Sequence, residues 1–416
     1  MYSGERMTGR IRVFAIAIML LACTGCGLFD GSGYNAKGKK VSIGTGYEEF
    51  YVDTKEANDG SSVDFAAERT AAGLTDEVIT SLMEQQKGRY CYDTMDPTYH
   101  KLYVELLYIV DHHGEDIPIS TNSQKELAYA FQCMYNDHPE IFWIDGFVYT
   151  KHMSGKKVAH LSFGGRYTYT ESECKQYQAK VDTVVHDCVN RVAKNSTDYD
   201  KVKYVYEYLI NNTDYVIGSQ DNQNILSVFL YGESVCQGYA KAAQYLLNEM
   251  GVQCTMVAGV VSTGEGHAWN LVKADGRYYH MDATWGDINY NDSSGIGTAS
   301  AVNYDYMLVT TDEIEKSRTI DNVIPLPQCI ATEDNYYVKE ERLFSKYEKI
   351  RVEWAFDNAY KHGEATVSLK CTDEAVYDDM YEHLINKQEV FDILENPGDE
   401  ILYVGSREQL VLTFWL

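Results

Sequence analysis

The sequence predicts an α+β fold centred on a helix that begins at a cysteine and packs on an antiparallel sheet. Three observations carry this prediction. A loop, Gly232-Glu233-Ser234-Val235, enters an amphipathic stretch whose apolar face is Tyr239, Ala240, Ala243, Leu246, Leu247 and Met250, with Gly251 as its stop. Gln253 to Val261 then reads as a strand rich in β-branched residues. Finally, His267 to Val272 and Arg277 to Trp285 flank Asp275-Gly276, a dipeptide suited to a two-residue hairpin turn.

The remaining elements fall into place along the 416 residues, a length that predicts two or three domains. Arg10 and Arg12 precede a short apolar run, Val13 to Ala22, which is a leader pattern too short to span a bilayer. It is followed by Leu21-Ala22-Cys23-Thr24-Gly25-Cys26-Gly27, which resembles a bacterial lipobox. That resemblance implies residues 1–26 as a lipoprotein signal peptide. Cys26 is the candidate lipidated residue and Cys23 its competitor. The chain is then expected to be exported and lipid-anchored to the outer face of the bacterial cytoplasmic membrane. Residues 27–60, rich in Gly, Ser, Lys and Asp, read as a flexible tether.

Residues 61–165 read as a mostly helical region, helical from Asp76 to about Ile119 and again over Ser123 to Tyr135. Two strands, Ile141 to Tyr149 and Lys157 to Phe163, close it. Residues 166–335 form the expected central domain, which opens with helices over Tyr169 to Lys194 and Asp198 to Asn211. Residues 336–416 suggest a small α+β module, with a helix from Asp373 to Leu394 and strands from Glu400 onward.

Charge limits the partners. With 62 acidic against 36 basic residues, the net charge of -26 repels nucleic acid and anionic headgroups, so membrane contact is expected through the lipid anchor only. The eight cysteines beyond the leader lack CxxC spacing, and no zinc site is expected. His112-His113, beside Asp111 and Glu115, reads as a polar helix end.

The chemistry concentrates in three places. Cys236 opens the helix, where the helix dipole and free N–H groups favour a thiolate and can hold an oxyanion. Gly238 lacks a Cβ and permits close approach. The hairpin brings His267 and Asp282 to facing positions, where a carboxylate can fix the imidazole tautomer and the imidazole can take the thiol proton. His280 is a rival base, because a spacing of two residues puts it on the strand face of Asp282. Gln237, Trp269 and Trp285 are candidate walls for a substrate. Gln223, Tyr215 and Tyr231 are candidates for a second oxyanion donor.

The segments Cys236-Gln237-Gly238-Tyr239-Ala240, Gly266-His267-Ala268-Trp269-Asn270 and Tyr279-His280-Met281-Asp282-Ala283-Thr284-Trp285-Gly286-Asp287 closely resemble the core of the transglutaminase-like superfamily. The resemblance covers about residues 198–290. It implies a papain/transglutaminase-like core with Cys236 as nucleophile, His267 as base and Asp282 as orienting acid. Gln237 stands where the family often has Glu. The implied activity is thiol-dependent acyl transfer or hydrolysis at amide bonds of proteins or cell-wall peptides, with no cofactor required. The expected partner is a protein or peptide substrate at the cell surface. The alternative is a cell-surface binding or scaffold lipoprotein that keeps the fold without catalysis.

Overall fold

The computed structural model describes residues 39–42, 49–60, 62–291, 298–395 and 401–416. The leader and both lipidation candidates, Cys23 and Cys26, lie outside the described residues. The chain divides into two compact units. The larger holds the described residues through Thr284 together with Val309–Ala331, and the smaller holds Trp285–Leu308 and Thr332–Leu416.

Among the described residues the larger unit contains a five-stranded sheet, a four-stranded sheet and a two-stranded one. The first has the order β1 (Lys39–Ser42), β2 (Glu49–Ala57), β4 (Ile144–Ser154), β5 (Lys157–Tyr167), β3 (Ile117–Ile119). Here the expected tether is corrected: residues 49–57 are a strand, paired in parallel with β4 from Tyr51 to Ala57. The Arg166 guanidinium stands 4.0 Å from the centre of the Tyr51 ring, a cation–π contact from β5 to β2. The region 61–165 is also more sheet-rich than expected. Its helices are α1 (Phe65–Ala71), α2 (Asp76–Gln85), α3 (Tyr90–Thr94), α4 (His100–Asp111) and α5 (Gln124–Asp137). The continuous helix expected from Asp76 to Ile119 breaks at Gly88, whose φ of +96° leaves helical space, and at Asp96-Pro97. Asp137 ties these pieces together. Its buried carboxylate accepts from the Cys91 and Tyr92 N–H groups at 2.9 and 2.8 Å and from Tyr103 Oη at 3.0 Å.

Two helices with reciprocal N-terminal caps follow, α6 (Glu171–Arg191) and α7 (Asp198–Asn212). They lead to a short parallel pair, β6 (Asp214–Tyr215) with β7 (Glu233–Ser234), and then to α8 (Cys236–Glu249). The second sheet is antiparallel. Its members are β8 (Cys254–Val261), β9 (Gly266–Ala274) and β10 (Arg277–Met281). The hairpin β11 (Asp287–Asn291) and β12 (Thr298–Val302) belongs to the smaller unit, and β13 (Arg318–Ile320) returns to complete the order β10-β9-β8-β13. Gln244 on α8 donates to Asn136 O at 2.7 Å, and Asn136 donates to Met256 O at 3.2 Å, so the N-terminal region and the α8 sheet are bonded inside one compact unit. No break between units falls at residue 165.

Besides that hairpin, the smaller unit holds a separate sheet of order β14 (Leu343–Phe344), β15 (Thr366–Cys371), β17 (Val411–Trp415), β16 (Tyr403–Ser406). Its core includes Phe356, Val367, Leu369, Leu412 and Phe414. The wholly buried Arg342 is neutralised by Glu364 at 2.9 Å and bonded to Tyr336 Oη at 2.6 Å. Among the described residues, no helix is long and apolar enough to cross a membrane.

Candidate active site

Cys236 is the first residue of α8, and the preceding Val235, an apolar residue, caps the helix without a side-chain bond. The helix start is held from beneath. Ser234 Oγ lies 2.7 Å from Ser227 Oγ and donates to Asn222 O at 3.0 Å. Tyr239 Oη donates to Thr213 O at 2.6 Å. A Cβ on Gly238 would stand 2.0 Å from Ser234 Oγ and 2.9 Å from Asn222 O, so only glycine fits beside this loop. The parallel β6–β7 pair presents Tyr215 to an apolar cluster made by Cys236, Ala240, Met256 and Ala268.

The sheet supplies the imidazole and the carboxylate. Asn270 on β9 donates to Ala240 O at 2.8 Å, which clamps β9 to α8 one turn beyond Cys236. Asp275 (φ +47°) and Gly276 (φ +81°) close the predicted hairpin turn. The hairpin sets Met281 opposite Asn270 and leaves Asp282 just past the end of β10. There Asp282 Oδ2 accepts from His267 Nε2 at 2.7 Å, with both side chains buried. With Nε2 donating, Nδ1 is the nitrogen of His267 that can take a proton.

The rivalry of His280 is corrected by the geometry. β10 stops at Met281, so the alternation that put His280 and Asp282 on one face does not extend to Asp282. His280 Nδ1 accepts from Trp269 Nε1 at 3.1 Å and its Nε2 bonds Thr311 Oγ1 at 3.2 Å. Burial, with the positive charge of Arg318 second, pushes its pKa down to about 4. In the folded protein it is therefore a neutral link. An unfolded chain protonates this imidazole near 6.5, so falling pH favours unfolding. The contribution of His280 is intact above about 6.5 and shrinks as pH drops toward 4. Between pH 7 and pH 5 it should account for about 2 kcal/mol of lost stability, and His280→Asn should flatten that part of the urea-midpoint profile.

Trp269 is 1% exposed and stacks on His267 with ring centres 6.0 Å apart, so it backs the imidazole from inside the core. Gly259, opposite His267 on β8, makes room for that indole, since a Cβ there would stand 2.6 Å from it. Gln237 is half-buried beside Cys236. Trp285 belongs to the smaller unit, edge-on to Tyr306 at 5.4 Å. Of the oxyanion candidates, Tyr215 packs beside Cys236, while Gln223 and Tyr231 are exposed.

One residue escaped sequence reasoning. Arg318, the first residue of β13, donates through Nη2 to the same Asp282 oxygen, and both side chains are fully buried. It sits in no motif and 36 residues from its partner. None of the eight described cysteines forms a disulfide. Burial pushes the thiols of Cys174 and Cys329 up to about 11, that of Cys371 to about 12, and that of Cys254 higher still.

Fold and site together define a core in which a helix-start thiol packs on a sheet that carries a carboxylate-bound imidazole. Residues 186–283 match the model of the transglutaminase-like superfamily, and the chain carries a transglutaminase-like core over that segment. Its curated relatives include kyphoscoliosis peptidase of Homo sapiens, 27% identical over 122 residues, and that of Mus musculus, 25% identical over 126 residues. Each match takes in 26% of this chain, and the chain spans only 18% and 19% of the lengths of these relatives. A solved structure described as a TGase aligns at 15% identity and a TM-score of 0.26, covering 36% of this chain and 55% of that one.

Proposed function

We propose that this protein is a thiol-dependent enzyme that takes acyl groups from amide bonds of proteins or cell-wall peptides at the outer surface of a bacterial cell. The observation that carries the reading is the buried 2.7 Å bond from His267 to Asp282, on a strand clamped to the helix that Cys236 begins. In this scheme His267 Nδ1 takes the Cys236 proton and the thiolate attacks the amide carbon. The α8 N–H groups, with Tyr215 as second donor, hold the oxyanion. The intermediate collapses with the C–N bond breaking, and His267 returns the proton to the leaving amine. A thioester remains on Cys236, which water resolves in a peptidase or amidase and an amine resolves in a transglutaminase.

Iodoacetamide at neutral pH is expected to alkylate Cys236 at least about tenfold faster than any other cysteine, as read by peptide mass mapping. A glutamine-containing peptide should then leave an acyl adduct on the wild-type protein and none on Cys236→Ala. A labelled amine added to the mixture separates transfer from hydrolysis. Silence of Cys236 in both assays would leave the scaffold reading standing.

A further inference from the structure

The carboxylate oxygen that accepts from His267 is shared. Arg318 Nη2 donates to the same Asp282 Oδ2, while its Nη1 donates to Ser317 Oγ at 2.6 Å. The guanidinium also stands 6.0 Å from the centre of the Trp269 ring, the indole stacked on His267. Guanidinium stays charged throughout the range in which proteins fold. An imidazolium held by a lone carboxylate is strongly stabilised, and one held by a carboxylate already paired with a cation is stabilised less.

We propose that Arg318 is a positioning residue that acts through Asp282, aiming the carboxylate at His267 Nε2 and weakening its hold on the imidazolium. This deepens the thiol-enzyme reading and rests on it. A base that gives its proton up readily suits a cycle in which His267 must first accept and then return a proton. The titratable and charged groups gathered here among the described residues include Tyr215 on β6, Cys236 on α8, His267 on β9, His280 on β10, Asp282 just past β10 and Arg318 on β13. β8 contributes Ala258, Gly259 and Val260 opposite His267, none of them titratable. The lowered pKa of His280 follows from burial first and the charge of Arg318 second, so that charge is felt by a neighbouring imidazole.

The test uses the full chain labelled with 13C at histidine Cε1, in a Cys236→Ala background that removes coupling to the thiol. The His267 signal is assigned by its loss in His267→Gln. Arg318→Gln, which keeps an N–H donor without the charge, should raise the His267 titration midpoint by about one pH unit. Arg318→Met, apolar and of similar length, is the second charge-removing variant and should move it the same way. Arg318→Lys, which retains the charge, should bring the midpoint back toward the parent value. A charge-free variant that melts cooperatively yet keeps or lowers the midpoint overturns the proposal. Iodoacetamide reactivity of Cys236 in the otherwise wild-type protein is read separately, so failure of the thiol mechanism is distinguished from failure of the role given to Arg318.

Discussion

Asp282→Ala is expected to destabilise the larger unit by about 3–5 kcal/mol, because it strands a buried guanidinium. Arg318 and Asp282 are both fully buried, and Arg318 cannot shed its charge. Cavity formation alone would cost much less for so small a side chain, so the electrostatic loss decides the magnitude. That attribution is checkable by urea unfolding. The double variant Asp282→Ala/Arg318→Met should be more stable than Asp282→Ala alone, since the second change removes the stranded charge. Additive losses would contradict it. Asp282→Asn should lose less stability, because it keeps an acceptor. It should nonetheless slow thioester formation by about tenfold or more, since the neutral amide can still accept from Nε2–H but no longer stabilises the imidazolium by charge.

Gly238→Ala is the second large effect. The added methyl would meet Ser234 Oγ and Asn222 O, and neither is the end of a flexible chain. Ser234 Oγ is bonded to Ser227 and to Asn222 O, so it cannot move without breaking that network. A loss of about 3 kcal/mol is expected, together with a shift of the helix start that carries Cys236. Thermal melts measure the first effect, and the iodoacetamide rate at Cys236 measures the second. A melt unchanged from wild type would mean that the 222–234 loop yields to α8.

What could be read from the sequence was local. The helix beginning at Cys236, the turn at Asp275-Gly276 and the facing of His267 and Asp282 each depend on spacings of a few residues, and the structure has each of them. What could not be read depends on distant pairing. β2 looked like a tether because Glu49, Asp53, Lys55 and Glu56 interrupt its β-forming residues. Its pairing with β4, more than ninety residues on, and with β1 makes it a strand. The placement of His280 on the strand face of Asp282 failed for a related reason, since alternation holds only while a strand continues and β10 ends one residue before Asp282. Arg318 was beyond reach altogether. β13 is three residues long, and its place is set by pairing with Val261, Val260 and Gly259.

The position of Arg318 along the chain also orders events during synthesis. A ribosome releases Cys236, His267 and Asp282 in that order, and the guanidinium for Asp282 emerges only after the intervening residues 285–308 of the smaller unit. Until then the carboxylate lacks the guanidinium that pairs with it in the folded protein, and closing the sheet over it is less favourable. The nascent chain is thereby kept from closing the core around Cys236, His267 and Asp282 before β13 arrives, once most of the larger unit has already been made.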